Sequence, residues 1–383
     1  MDFAWSEDQA AFRREVIRFA KEELNDNLIE RDQNSEFSWD AWKKCAKFGI
    51  QGLPIPSEYG GGDADCLTTV CALDALGYGC RDNGLLFALN AHMWSSEIPL
   101  LTYGSEAQKK KYLTNLVNGE WVGIHAMTEP MSGSDAFSLR TRAERKGDRY
   151  VINGSKTFIS NAQVAEMVIV FANLDPSKGA AGLSAFIVDK DTPGFSISKK
   201  IHKMGLRTAP MAELAFVDCE IPEENVLGTE GAGQMIFTSS MEWERICILA
   251  GHLGMMQRLL ETSVKYARER EQFGKPIGEF AAVSDKIADM DIRLEAARLL
   301  LYKAAWLKTK GRHPLREAAI AKAYVAEAAV LTCLDSIQIH GGYGYMTEYQ
   351  IERELRDAIG GKIYSGTTEI QKNIIARFHG VKE

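Results

Sequence analysis

Two carboxylates stand two residues apart in the run Met241-Glu242-Trp243-Glu244-Arg245, and helical spacing separates their surroundings. Three, four and seven residues from Glu244 lie Phe237, Ser240, Met241, Ile248 and Gly251, a mostly apolar face. Glu242 instead shares its side with Thr238, Arg245 and Leu249. A carboxylate on an apolar face loses its water, which raises its proton affinity and suits it to removing a proton. The competing reading of Glu244 is a helix-surface charge paired with a neighbour, and spacing alone leaves both open.

Four further segments carry groups that could meet a ligand. Ala126-Met127-Thr128-Glu129-Pro130-Met131-Ser132-Gly133-Ser134-Asp135 offers hydroxyl and backbone donors from Thr128, Gly133 and Ser134, or is simply a polar turn. In Lys156-Thr157-Phe158-Ile159-Ser160-Asn161, strand alternation puts Phe158 and Ser160 on one side. A ring beside a hydroxyl suits a flat heterocycle, and equally a core Phe beside a surface Ser. Tyr266 to Ile277 reads as a charged helix stopped by Gly274-Lys275-Pro276, with Arg270, Gln272 and Phe273 fitted to a phosphate and a ring, or left as a solvated helix end. Gln338-Ile339-His340-Gly341-Gly342-Tyr343-Gly344-Tyr345 gives a tight, glycine-dense turn after a helix, and Ile363 to Gln371 follows it.

The elements that must position these groups change period along the chain. Up to about residue 118 the spacing is helical. Ser6 with Gln9 forms a capping box ahead of Phe12, Val16 and Phe19, and Trp42, Ala46 and Phe48 belong to a second helix closed by Gly49. Prolines 54 and 56 and glycines 60–62 make a loop; helices resume over Leu67–Tyr78 and Gln108–Leu116. From Glu120 to Leu227 strands take over, with Asn153-Gly154 expected to turn a hairpin between Tyr150-Val151-Ile152 and Lys156-Thr157-Phe158-Ile159. Met167–Phe171, Leu183–Val188 and Leu214–Val217 are further strands. After Gly231 one long helix is expected from Gln234 to about Arg270, followed by Val283–Lys308 and Leu315–Ile339. The expectation is an α+β chain: an all-helical domain over 1–118, a central β-barrel or sandwich over 119–228, and a helical bundle over 229–383.

Composition narrows the function classes. With 383 residues, 45% hydrophobic and 25% charged, the chain can bury a sizeable core as an ordinary globular protein. A net charge of −7 without a block of Lys and Arg excludes a broad nucleic-acid surface. The seven cysteines are scattered, with no Cys-x-x-Cys pair, so neither a disulfide framework nor a zinc or other metal site is expected. Small buried thiols in a reducing compartment are, and the acidic stretch Met1 to Ala10 has no apolar signal segment. No apolar run approaches the ~20 residues of a membrane helix. The expected location is cytoplasmic. No Gly-x-Gly-x-x-Gly follows a strand and there is no Walker loop, so a dinucleotide would not be held in the Rossmann manner.

In this order the four segments resemble the acyl-CoA dehydrogenase family over essentially the whole chain. The resemblance implies a helical N-domain, a central β-domain and a C-terminal four-helix bundle, usually in a homotetramer. It implies FAD between domains, with Met127, Thr128, Gly133 and Ser134 in the first FAD loop, Phe158 against the flavin and Ser160 near its N5. By the same resemblance Arg270, Gln272 and Phe273 contact the adjacent subunit's FAD, Gln338 and Gly342 form the pyrophosphate-side turn, and Thr367 and Glu369 complete the adenosine side. Ala281 stands where the family often has a Gln reaching the ADP part, a departure that bears on one cofactor hydrogen bond and not on the cofactor itself.

The other departure is chemical. Much of the family has its catalytic Glu just before the Gly-Thr of the last motif, where this chain has Ser365. A hydroxyl without an activating partner is no base for an α-proton. The family's second arrangement, as in isovaleryl- and long-chain acyl-CoA dehydrogenases, takes the carboxylate from the helix before an Arg; Glu244 and Arg245 match it. It implies that the base removes the α-proton of a thioester while flavin N5 accepts a hydride, with the enolate oxygen held by a ribityl hydroxyl and the N–H at position 365. The small Ser365 leaves room for a branched or cyclic acyl group. Ser239 to Arg245, Leu253-Gly254-Met255-Met256 and Tyr364-Ser365-Gly366-Thr367 look most like prolyl-carrier-protein dehydrogenases of natural-product pathways. The implied substrate is L-prolyl on the phosphopantetheine arm of a peptidyl or acyl carrier protein, in a pocket with Ser240, Met241, Tyr364, Ser365 and Gly366, oxidised to a dehydroprolyl thioester. A branched short-chain acyl-CoA dehydrogenase and a non-catalytic acyl-thioester binding protein are the alternatives. The electron acceptor, an electron-transfer flavoprotein or oxygen, stays open.

Overall fold

The computed structural model describes residues 5–381; residues 1–4, part of the acidic stretch read above, and 382–383 lie outside the described residues. The N-terminal helices are α1 (Glu7–Glu23), α2 (Leu28–Asn34), α3 (Trp39–Phe48), α4 (Cys66–Gly79), α5 (Asn83–His92), α6 (Ile98–Tyr103) and α7 (Glu106–Val117). The capping box at Ser6 and Gln9 forms as expected, and Gly49 ends α3 with φ of 93°. Phe12 and Phe19 stack on Phe48, which seats α1 on α3. One turn of π-helix, Met93–Glu97, joins α5 to α6, and such turns often sit at functional sites.

The strands are β1 (Gly123–Ala126), β2 (Arg142–Lys146), β3 (Arg149–Ser160), β4 (Met167–Asn173), β5 (Leu183–Asp189), β6 (Phe195–Lys200), β7 (Met211–Pro222) and β8 (Val226–Leu227). They lie in the order β6-β7-β3-β2-β4-β5-β8, with β1 added parallel to β4. β4 is buried along its whole length and β5 along nearly all of it, so this pair forms the centre of the core. Gln108, capping α7 with Ser105, also donates to the carbonyls of Glu224 (2.8 Å) and Val226 (2.9 Å) and so ties the helices to β8.

The third block holds α8 (Gly233–Cys247), α9 (Ala250–Glu269), α10 (Ala281–Thr309) and α11 (Leu315–His340), followed by α12 (Gly342–Tyr345), α13 (Ile351–Gly360) and α14 (Thr368–Phe378). Two glycines set where α9 meets α4. A Cβ on Gly77 would lie 2.0 Å from the Gly251 carbonyl oxygen, and one on Gly254 would lie 2.2 Å from the Asp74 oxygen. The two helices pack backbone to backbone there, which fixes α9, the helix that follows the one carrying Glu244. The chain is thus α+β, with strands between two helical blocks. All seven cysteines are free and buried, and no helix among the described residues is long and apolar enough to cross a membrane.

Four local expectations are corrected. Asn153-Gly154 turns no hairpin: β3 runs straight through it with a register shift, and the turn falls at Gly147-Asp148. The physical reason is contact across the sheet. A Cβ at 154 would sit 2.7 Å from Thr141 Cα, while Asn153 exchanges side-chain bonds with Asp218 (Nδ2 to Oδ1 3.1 Å; Asp218 N–H to Oδ1 2.8 Å). The single long helix is two, because the chain turns at Ile248-Leu249; both sides of the turn are buried, so the apolar pattern carries no mark of it. α9 stops at Glu269, as the expected end near Arg270 has it, but Gly274-Lys275-Pro276 is not the stop of the helix: it lies in a small hairpin, β9 (Glu271–Gln272) with β10 (Lys275–Pro276). Finally, strand alternation fails at Phe158. A second register shift lies between Lys156 and Ile159, so Lys156 and Thr157 are buried in succession and Phe158 turns outward.

Candidate active site

Helix α8 delivers both carboxylates of the 242–244 pair into the interior, so burial does not distinguish them: Glu242 is 6% exposed and Glu244 8%. Their partners do. Glu242 receives Lys308 at 2.6 Å, a part-buried ion pair, and the exposed His313 ring at 3.3 Å. Glu244 receives a neutral hydroxyl, that of Ser365, through Oε1. Burial pushes the Glu244 carboxyl above its ordinary range, and the Ser365 hydrogen bond, Arg245 and Lys322 pull partly against it.

The turn that presents Ser365 follows α13. Ser365 and Gly366 are consecutive left-handed residues, with φ of 58° and 88°. For a serine that conformation costs about 1–3 kcal/mol, so surrounding contacts must hold it. They do: Gln371 Nε2 donates to the carbonyls of Ser365 (3.1 Å) and Gly366 (2.9 Å), Lys322 Nζ to that of Gly366 (2.7 Å), and Arg245 Nε to that of Ser365 (3.4 Å). Tyr364, whose phenol burial drives upward in pKa, packs its ring 4.8 Å from Phe87. On the other side of Glu244, Trp243 stacks on Trp94 of the π-turn at 5.7 Å. Ser240, one helical turn before Glu244, is buried with no hydrogen-bond partner for its hydroxyl, and Met241 is buried beside it. Glu244, Arg245, Ser365 and Gly366 therefore meet in one place, with Tyr364 in the same turn and Ser240 and Met241 on the same helix.

A second group forms around β3. The loop 126–135 is pinned to the strand by Thr157 N–H to the Thr128 oxygen (2.9 Å) and Lys156 Nζ to the Met127 oxygen (3.1 Å). Lys156 is fully buried and pairs at 2.8 Å with Glu129, which also accepts the N–H groups of Arg140 (2.7 Å) and Thr141 (3.0 Å). Gly133 and Ser134 are exposed on that loop, Ser160 is half-buried, and Phe158 is 60% exposed with φ of 57°. An exposed aromatic ring held at a disfavoured backbone angle suits a surface that meets a flat ligand.

Arg270, Gln272 and Phe273 stand apart on the β9–β10 hairpin, Phe273 94% exposed with its ring 6.0 Å from Phe280. At the end of α11, Cβ atoms on Gly341 and Gly342 would meet nothing within 4 Å, so the backbone there is open to close approach. Gln338 precedes that turn by one helical step. Thr367 caps α14, accepting the Ile370 N–H at 3.3 Å, and Glu369 is exposed in its first turn. Ala281 begins α10. Open glycine backbone, an exposed ring and a pinned donor loop fit a ligand with a flat heterocycle and a diphosphate.

Four residues of these groups carry no weight in the sequence reading above: Glu129, Lys156, Lys322 and Gln371. Lys322 had a signal, a lone lysine among Ala318, Ala319, Ala321, Val325 and Ala326. Such a residue is buried with a partner or misplaced, and Gly366 is the partner.

The chain matches the acyl-CoA dehydrogenase N-terminal domain over residues 6–120, the middle domain over 125–219 and the C-terminal domain over 231–379. It belongs to the acyl-CoA dehydrogenase family, and is an oxidoreductase. Within that family it is 40% identical over 378 residues to the L-prolyl-[peptidyl-carrier protein] dehydrogenase of Pseudomonas fluorescens, covering 98% of this chain and 99% of the relative. Among solved structures it superposes on the prolyl acyl carrier protein oxidase AnaB with a TM-score of 0.97 at 52% identity, over 98% of this chain and 100% of the other. On PigA with FAD and proline the TM-score is 0.97 at 40% identity, with both chains fully covered.

Proposed function

We propose that this chain oxidises L-prolyl held as a thioester on a carrier protein, with FAD as cofactor, giving a dehydroprolyl thioester. The observation that carries the reading is the contrast on α8: Glu244 is buried against a neutral hydroxyl, whereas Glu242 is consumed by an ion pair. Support for the substrate comes from the relatives described above, whose names specify prolyl carrier substrates.

In this reading Glu244 takes the α-proton. Its raised proton affinity makes it a stronger base than an exposed carboxylate, and the Ser365 hydroxyl orients the oxygen that receives the proton. The developing enolate oxygen is met by the N–H of Ser365, whose turn is held rigid. Arg245 is half-buried beside Glu244, and its charge limits how far the carboxyl pKa rises. Ser240 and Met241 on α8, with Tyr364, Ser365 and Gly366 opposite, line the acyl pocket; the short side chains at 240 and 365 leave space for a ring. FAD, when bound, supplies acceptance of a hydride at N5. Met127, Thr128, Gly133, Ser134, Phe158 and Ser160 would hold its isoalloxazine side, Gln338, Gly342, Thr367 and Glu369 the rest, and Arg270, Gln272 and Phe273 would reach the FAD of a neighbouring subunit.

The assembly proposed is a homotetramer. Ile292, Leu299 and Trp306 are exposed at seven-residue spacing along α10, and Leu331 and Leu334 are exposed on α11, a face suited to another copy. The domains proposed run over 1–118, 119–228 and 229–383, and seven unpaired buried thiols support a cytoplasmic, reducing location. Electrons leave to an electron-transfer flavoprotein or to oxygen. A substrate panel tests the proposal: holoenzyme mixed anaerobically with prolyl-loaded carrier protein should bleach its flavin, with a two-hydrogen mass loss on the carrier. Bleaching with isovaleryl-CoA and none with the prolyl carrier would replace the substrate.

A further inference from the structure

The left-handed turn at Ser365-Gly366 is held by side chains from three different helices. Arg245 comes from α8, Lys322 from α11 and Gln371 from α14, and all donate to the two carbonyls of the turn. The Ser365 carbonyl is bonded to the Cα that carries the hydroxyl meeting Glu244, so holding it, together with the Gly366 carbonyl that follows, fixes the backbone from which that hydroxyl projects. We propose that Lys322 and Gln371 are positioning residues for the reaction: they lock the 365–366 turn so that the Ser365 hydroxyl stays on the Glu244 carboxylate during turnover. The inference rests on Glu244 being the base.

The chemistry of each clamp member is consistent with this. Gln371 is fully buried and spends its amide nitrogen on both carbonyls at once, leaving its Oε1 without a partner. A buried unsatisfied oxygen is tolerated where the geometry gained matters more. A Cβ on Gly366 would come 2.7 Å from Gln371 Nε2, so glycine is required for the amide to approach. Lys322 is buried to 0% exposure in the alanine-rich face of α11, where a cation is costly to keep. Burial and the nearby Arg245 bring its pKa down to about 8, while Glu244, Glu369 and Glu327 hold it up. Lys322 thus acts on the base in two ways, through the turn and through its charge.

A double-mutant cycle tests the clamp in the FAD-loaded enzyme, with turnover expressed per bound flavin. Gln371→Leu and Lys322→Met should each lower kcat by about tenfold or more on the acid side of the pH profile with KM changed less than about threefold, since the carboxylate loses the hydroxyl that keeps it ionised and aimed. In a Ser365→Ala background, where no hydroxyl remains to deliver, Gln371→Leu should cost less than about twofold. Infrared titration of the Glu244 carboxyl gives a readout independent of turnover, and its midpoint should rise in Lys322→Met. The more conservative Gln371→Glu, protonated at acidic pH, should recover part of the rate there. Equal losses from Gln371→Leu with and without Ser365, or per-flavin turnover unchanged in both single variants while thermal stability falls, overturns the positioning role. If those variants are unchanged but Glu244→Gln is inactive, the clamp fails alone; if Glu244→Gln turns over normally, the base assignment fails and the clamp with it.

Discussion

Ser365 donates its hydroxyl hydrogen to the carboxylate of Glu244 across 121 residues of chain. The bond joins the position where much of the family keeps its base to the helix that carries the base here. It favours the ionised carboxylate, against a burial that disfavours it, so the two groups together set the pH at which the base is ready.

Ser365→Ala therefore removes a stabilising bond from the anion. The pKa of Glu244 rises further, and the acid limb of the kcat profile moves to higher pH. The expected loss is roughly tenfold or more on the acid side, from a charged hydrogen bond of about 1.5–3 kcal/mol, shrinking as pH climbs. A pH–rate profile of both proteins checks it; an unmoved limb would show that the hydroxyl does not act on the base.

Glu242 is the internal control. Glu242→Gln breaks the contact to Lys308 and leaves that cation poorly paired, so unfolding should become easier by about 1–3 kcal/mol. Turnover per flavin should stay near wild type. Denaturant unfolding with a flavin-normalised assay measures both; a lost activity with intact stability would move the base to the other carboxylate.

Lys156→Met leaves Glu129 as a buried charge with only backbone donors and releases the Met127 carbonyl. The cost is about 3–5 kcal/mol, falling on the loop 126–135. Flavin occupancy after purification should drop, and added FAD should raise the melting temperature of the variant more than that of the wild type. Unchanged occupancy would detach this loop from cofactor binding.

Asp357 joins the three blocks, accepting the Leu206 N–H (2.5 Å) and Asn83 Nδ2 (3.1 Å). Burial raises its pKa to about 7, with Arg353, these two donors and Glu354 as the smaller influences. Because the folded value lies above the unfolded one, its contribution to stability is complete below about pH 4 and is lost as pH rises through about 7. Asp357→Asn cannot ionise, so its melting temperature relative to wild type should improve between pH 5 and 8. A difference that does not vary with pH would contradict this.

The fold class was legible because long helical periods are set by burial of one face, as in α1, and a short apolar run buried on both faces, as in β4, reads as a strand by its length. The misreadings fall where a different force decides. Asn153-Gly154 carries the signal of a turn, yet its glycine serves the close approach of Thr141. The break at Ile248-Leu249 lies inside a stretch buried on all sides, where periodicity is silent. At the site, the apolar face of Glu244 could be read from spacing. The pairing of Glu242 could not, since Lys308 and His313 lie more than 60 residues away along the chain. The turn clamp was hidden for another reason: the lone Lys322 on an alanine-rich face could be read as buried, but the carbonyls that it and Gln371 meet leave no trace in side-chain patterns.

The most direct test of the central claim is anaerobic stopped-flow absorbance of the FAD-loaded enzyme mixed with prolyl-loaded carrier protein, run beside Glu244→Gln. The account predicts rapid bleaching of the wild type and a variant that binds FAD equally well yet stays yellow, slower by about 1,000-fold or more. Bleaching of Glu244→Gln at the wild-type rate would contradict it.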